Sequence, residues 1–234
     1  MLLAIIPARG GSKGILRKNL ALLRRRPLIE YTIEVALQSP LIDEVLLSTD
    51  DDEIAAVGRR MGLDVTYRRP AELAGDATPM IDTLEHGLRW MAEERGGLPD
   101  EVMLLQPTSP LRSAEDIAGA VDLFHETAAL SVVSVHPMGE HPSECIVGSV
   151  RDWDYLVTPP KGAVRRQDYE HRFYFINGAI YLAGTQTLLS RRGFIHPGET
   201  AMFVMPRSRG LDIDTPLDLH IAEAIFNRDE AGSA

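Results

Sequence analysis

Between Leu2 and Val135, short apolar runs alternate with amphipathic stretches of helical period, and this alternation limits the fold more than any other feature. The runs "LLAIIPA" (from Leu2), "DEVLLST", "LDVTY", "EVMLLQ" and "LSVVSV" read as strands. Between them, "PLIEYTIEVALQS", "DDEIAAVGRRMG", "PMIDTLEHGLRWMAEER" and "SAEDIAGAVDLFHE" repeat their apolar residues at helical spacing. Pro27 suits a first helical turn, Gly62 a stop, and Ser113-x-x-Asp116 a capping box. A strand that is continuously apolar is covered on both faces, and strands alternating with helices make right-handed βαβ units. The prediction is an α/β fold with a mostly parallel, Rossmann-like sheet flanked by helices, in one domain over 1–234. From His136 to Phe175 the rhythm breaks into prolines and scattered aromatics, so 137–175 reads as an inserted arm or hairpin. "GAIYLAG" and "AMFVMP" resume strand character, "PLDLHIAEAIFNRDE" closes as a helix, and the tail "AGSA" is expected to be disordered.

Charge narrows the class of partner. Asp and Glu total 34 against 24 Lys and Arg, a formal charge of −10, which argues against nucleic acid and against anionic membranes. The basic cluster from Arg9 to Arg26 is then the more informative, because a small polyanion meeting a dedicated patch fits both observations. One cysteine, Cys145, allows neither a disulfide framework nor a zinc cluster, and reads as a small half-buried residue. No run approaches the roughly eighteen apolar residues of a membrane span. The front of the chain reaches "ARGGSKG" too soon for a signal peptide, so the expected location is cytoplasmic.

In open parallel sheets the ligand lies beyond the carboxyl ends of the strands. Three polar segments follow such ends here: "ARGGSKG", "STDD" and "QPTSPLR". The first is not a Walker A loop, whose lysine opens a helix in GxxxxGK, nor a GxGxxG dinucleotide turn, since Gly10, Gly11 and Gly14 are wrongly spaced. What remains is a longer loop around a triphosphate, with Gly10 and Gly11 turning backbone N–H groups to an anion while Arg9 and Lys13 neutralise it. A solvated basic turn is the alternative. Near the other end, Asp212 and Asp214 in "LDIDTP" project to one face if extended, and their mutual repulsion invites a cation. Mg²⁺ takes one or two protein carboxylates and fills its shell with water and phosphate. The competing role is helix capping by Asp214, which Thr215 could also perform. Other features read as structural: His136 and His141 lack metal-site spacing, Arg24 to Arg26 form a solvated turn, and Asp51 and Asp52 serve a helix N-terminus. No GxSxG elbow is present.

Taken together, "IPARGGSKGILRKN", "STDDDEIA", "RPAELAGD", "LLQPTSPLR", "RRQD", "NGAIY" and "DIDTPLDL" resemble, in order, the bacterial acylneuraminate cytidylyltransferases, or CMP-sialic acid synthetases. Relatives in that family act on legionaminic and pseudaminic acids. The resemblance implies the nucleotide-diphospho-sugar transferase type of α/β fold. It also implies transfer of CMP from CTP to the anomeric hydroxyl of a nine-carbon 2-keto sugar acid, with release of pyrophosphate. By the same resemblance Arg9, Ser12, Lys13, Lys18, Asn19 and Arg69 hold the nucleotide, with Lys18 near the α-phosphate. Gln106, Thr108, Ser109, Arg166 and Tyr181 line the sugar site. Asp212 and Asp214 match Mg²⁺ ligands, Asp214 also drawing the proton from the attacking hydroxyl. Family members are homodimers whose arm, 137–175 here, reaches over the partner's site. Three features depart from the pattern. Pro79 and Met80 replace hydroxyl residues, Phe175 stands where sialate enzymes often carry Arg, and Glu144 lies near a relative's lysine. Fewer cations at the sugar rim favour a sugar with methyl or acetamido groups. The competing readings are activation of another keto acid such as keto-deoxy-octulosonate, a nucleotide-binding module without turnover, and a dehydrogenase. Paired acids argue against the second and glycine spacing against the third.

Overall fold

In the computed structural model, the apolar run at the front of the chain forms strand β1 (Leu2–Pro7), and all six of its residues are buried. Its side chains divide alternately: Leu2, Ala4 and Ile6 join one core, Leu3 and Ile5 another. A strand covered on both faces sits inside a layered sheet. The structure describes residues 1–12, 14–159 and 172–231. The expected site residues Lys13 and Arg166, and the tail beyond Ala231, lie outside the described residues.

The chain continues through a small hairpin, β2 (Leu22–Leu23) and β3 (Arg26–Pro27), to α1 (Leu28–Gln38), β4 (Glu44–Ser48), α2 (Asp52–Arg60) and α3 (Met80–Arg95). Then come β5 (Glu101–Leu104), α4 (Ala114–Glu126), β6 (Ser131–Pro137), and a second hairpin of β7 (Ile146–Gly148) and β8 (Trp153–Tyr155). The last elements are β9 (Tyr174–Gly184), α5 (Thr185–Arg191), β10 (Thr200–Val204) and α6 (Pro216–Ala231). Six strands form the main sheet in the order β10-β6-β9-β5-β1-β4. Strand β1 runs parallel to β4 and β5, and β10 to β6; β9 alone is antiparallel to its neighbours. The mostly parallel α/β sheet of the sequence is what forms.

Two boundaries differ from expectation. "LDVTY" joins no sheet: its extended backbone crosses the sheet edge beside β4, placing Leu63 and Val65 in one core and Tyr67 in the other. Alternating burial is thus kept without a ladder. The irregular segment is also shorter than 137–175, because Pro137 and His136 pair with Tyr174 and Phe175. Helix signals fare better. Asp51 caps α2 by accepting from the Glu53 and Ile54 amides, and Ser113 with Asp116 makes a full capping box on α4. Pro27 stands just before α1 rather than inside it.

The "RRR" turn is more than a solvated loop. Arg26 pairs with Glu34 at 2.8 Å and lies 4.7 Å from the Tyr31 ring centre, and Arg24 lies over Phe226. Arg24 (φ 49°) and Arg25 (φ 66°) both adopt the left-handed region that two-residue hairpin turns require and that side chains resist. Arg25→Gly should therefore stabilise the fold by about 0.5–1 kcal/mol and raise Tm by roughly 1–4 °C in a thermal melt. A lowered Tm would show that the Arg25 side chain contributes more than its backbone strain costs.

Candidate active site

At the carboxyl ends of β1, β4 and β5 lies a cleft of about 490 Å³, lined by Arg9, Ser12, Gly14, Lys18, Asn19, Arg69, Met80, Gln106, Thr108, Asp212 and Asp214, among others. Segments from both ends of the chain therefore meet in one place. Ile213 explains how the acids are presented: it is fully buried beneath α6 with Leu23, Leu28 and Leu111, while its amide donates to the Thr108 carbonyl at 2.8 Å. With Ile213 turned to the core, its two neighbours project to the cleft side.

The two carboxylates differ. Asp212 has its Oδ1 buried without a hydrogen-bond partner. Burial, reinforced by the negative charge of Asp214, pushes the Asp212 carboxyl above the ordinary aspartate range. Asp214 is exposed and pairs with the Lys18 ammonium at 2.8 Å. Among the described residues no α6 amide donates to its side chain. Instead Asp218, in the first turn of α6, reaches back, its Oδ2 accepting from the amides of Asp214 and Thr215 and from the Thr215 hydroxyl. No group of three acidic, His or Cys side chains gathers into a metal site among the described residues. An orphaned, buried carboxylate oxygen beside a second carboxylate nonetheless fits Mg²⁺, which draws its other ligands from water and phosphate.

The loop cations have separate duties. Arg9 pairs with Asp76 at 2.7 Å, at the cleft wall. Lys18 reaches Asp214, whereas Arg17 is drawn away to Asp51 (2.7 Å) and Glu53 (2.6 Å) at the start of α2. Asn19 is buried and its Nδ2 donates to the Arg9 carbonyl, fixing the loop's two ends together. Arg69 is buried, with Nε and Nη2 donating to the Ser48 hydroxyl and carbonyl; burial, with Arg9 nearby, presses its pKa down. A guanidinium so placed in a cleft wall suits an anion.

The glycines of the loop differ in their surroundings. The Gly10 amide donates to Asp50 Oδ1 at 3.0 Å, and a Cβ there would meet Asp51 Oδ2 at 2.7 Å, so close packing also requires a glycine at this position. Gly11 is exposed with open space around it. Gly14, which spacing alone did not single out, is the glycine the cleft requires: a Cβ would lie 2.4 Å from the Asp214 carbonyl oxygen.

A second cavity of about 390 Å³ adjoins the first, sharing Met80 and Gln106 as the dividing wall. Tyr181 lines this second space with Ile81, Leu84, Phe194 and Ile195, and burial, helped by Asp212, raises its phenol pKa. Gly178 (φ +76°) lets the Gln106 amide lie against β9, since a Cβ would sit 2.9 Å from Oε1. Ser109, in contrast, lines neither cavity: it is 1% exposed, buried under the loop. Phe175 is exposed beside His136, and Glu144 is exposed near the second hairpin. Behind the Gln106–Thr108 loop lies Arg112, a fully enclosed guanidinium that the sequence reading passed over. It donates to the Ala179 carbonyl at 2.6 Å and to Thr32 Oγ1 at 3.0 Å.

Comparison with known proteins agrees with this geometry. The profile of a family described as Cytidylyltransferase matches residues 3–181. A Legionella pneumophila protein named CMP-N,N'-diacetyllegionaminic acid synthase is 36% identical, over 96% of each chain. A Campylobacter jejuni pseudaminic acid cytidylyltransferase is 30% identical over 96% of this chain and 95% of its own. An Escherichia coli N-acylneuraminate cytidylyltransferase is 33% identical over 96% of this chain but only 52% of its own length. Among solved structures, a CMP:2-keto-3-deoxy-manno-octonic acid synthetase complexed with CTP superposes with TM-score 0.71 at 18% identity, covering 97% of this chain and 99% of that one. That likeness shows the shared fold. By sequence, over nearly its whole length, the chain belongs to the cytidylyltransferase family.

Proposed function

We propose that the protein transfers CMP from CTP to the anomeric hydroxyl of a nonulosonic acid. The observation that carries this reading is the meeting of Lys18 with Asp214 in one cleft, 196 positions apart in sequence, beside the partnerless oxygen of Asp212. Arg9, Ser12, Lys18, Asn19 and Arg69 line the wall that suits the triphosphate, and Lys13 belongs to the same loop. Gln106 and Tyr181 offer the sugar an amide and a hydroxyl, with the Arg166 guanidinium assigned to its carboxylate. In the transfer, the anomeric oxygen bonds to the α-phosphorus, the bond to the β-phosphate breaks, and pyrophosphate leaves. Asp214 takes the hydroxyl proton, while Lys18 and Arg9 offset charge on the phosphates. Asp212 and Asp214 would hold Mg²⁺, which when bound supplies Lewis-acid neutralisation of phosphate charge.

The second cavity's apolar wall, with the apolar Met80 and Phe175 and the acidic Glu144 at the departing positions, favours sugars rich in methyl and acetamido groups. Exposed Ile146, Val147, Trp153 and Leu156 on the second hairpin support its use as a homodimer arm. No described helix is long and apolar enough to cross a membrane, and a single reduced cysteine suits the cytoplasm.

Mixing the protein with CTP, Mg²⁺ and a panel of keto sugar acids, and following pyrophosphate, tests the reading. Release with one or more nonulosonic acids is expected. Release with keto-deoxy-octulosonate alone would favour that substrate instead, and silence with every acid would defeat the enzyme reading.

A further inference from the structure

The Lys18 ammonium lies 2.8 Å from Asp214 Oδ1, and the lysine is the more enclosed of the two, with side-chain exposures of 18% and 69%. Neighbouring Asp212 has a buried oxygen with no hydrogen-bond partner. Of the two acids that suit a divalent cation, one therefore presents a spare oxygen while the other is engaged by a lysine. Among the described residues, the other cations near the cleft are held elsewhere: Arg9 by Asp76, Arg17 by Asp51 and Glu53, and Arg69 by Ser48. Gly14 sets the loop that carries Lys18 directly on the Asp214 backbone, so the lysine is delivered to this carboxylate by a close-fitting contact.

We propose that Lys18 is a resident counter-ion for Asp214 that moves to the phosphates when the nucleotide enters, so that one side chain couples divalent-cation binding to nucleotide binding. This rests on the nucleotide reading above. While the ammonium sits on Asp214, the acid pair offers one unit less negative charge and one oxygen fewer, and an arriving cation is repelled at short range. A triphosphate gives the ammonium a denser negative partner and releases Asp214. Linkage requires the reverse as well: a cation held by both acids leaves Lys18 available to phosphate and strengthens nucleotide binding by the same factor. A purely structural, half-exposed ion pair would contribute little to either equilibrium.

The test uses Mn²⁺ and CTP separately, each without sugar acid so that no turnover occurs. Mn²⁺ binding to the nucleotide-free protein is titrated by electron paramagnetic resonance, and CTP binding is measured by equilibrium dialysis in EDTA. Relative to wild type, Lys18→Gln should bind Mn²⁺ about tenfold more tightly and CTP about tenfold more weakly. Lys18→Arg, which keeps a cation, should follow wild type in the Mn²⁺ titration. Circular dichroism checks the fold of each variant, and Lys18→Met replaces Lys18→Gln if the latter does not fold. Unchanged or weakened Mn²⁺ binding in the neutral variant overturns the proposal, and so does unchanged CTP binding. Absence of CTP binding by wild type, with or without Mg²⁺, would instead overturn the nucleotide reading itself.

Discussion

Asp212→Asn should reduce pyrophosphate release by roughly 10³-fold, while leaving the protein folded and more stable than wild type at neutral pH. Both effects follow from one environment. The Asp212 carboxylate has a buried Oδ1 without a partner and a like charge at Asp214, so ionisation is disfavoured in the folded chain and its pKa is raised. The sign of the linkage is then fixed. Below the ordinary aspartate pKa of about 3.9 the contribution is fully present, and it is lost as pH rises through the higher folded value. Asparagine keeps the shape and never ionises, so the stability gap between variant and wild type should open across that window and stay constant above it. Denaturant midpoints at a series of pH values measure the gap, and pyrophosphate assays measure the rate. A variant within tenfold of wild-type activity would remove Asp212 from the proposed cation site.

Arg112→Ala should destabilise the protein by about 3 kcal/mol, lowering Tm by roughly 6–12 °C. The guanidinium is enclosed among β9, α1 and the Gln106–Thr108 loop, and burial presses its pKa down to about 9, so it is still a cation at neutral pH. Removing it leaves a cavity, takes the donor from the Ala179 carbonyl, and leaves the Thr32 hydroxyl only its long bond to the Gln106 carbonyl at 3.4 Å. Arg112→Met fills the space without a desolvated charge and should cost less, about 1 kcal/mol. Arg112→Lys keeps the charge but loses the fork, and belongs between them. Because the loop it supports carries Gln106 and Thr108, the methionine variant should also raise KM for the sugar acid more than it lowers kcat. An unchanged Tm in the alanine variant would mean that the loop holds itself.

Much of this was legible in the residues because short-range rules govern it. Continuous apolar runs became β1, β4, β5 and β6, and the caps at Asp51 and Ser113 closed as spacing foretold. Periodicity does not report whether an extended segment has a ladder partner, so "LDVTY" looked like a strand while it wraps the sheet edge. The loop's cations showed a taste for anions, but four similar charges carry no label. Only distances separate Arg17, bound to α2, from Lys18 at the acids. The packing need at Gly10 and Gly14 was hidden for a related reason: the atoms that a Cβ would meet belong to Asp51 and Asp214, remote in sequence. Arg112 was hidden because its partners are a carbonyl on β9 and a hydroxyl on α1, neither marked by charge.

Lys18 belongs to an early loop, and Asp214 follows β10, the last strand of the main sheet in the chain. During synthesis the ribosome must therefore release almost every strand before the cleft has both walls. A nascent chain can therefore hold most of the sheet before the two acids, and with them the second wall of the cleft, have been made.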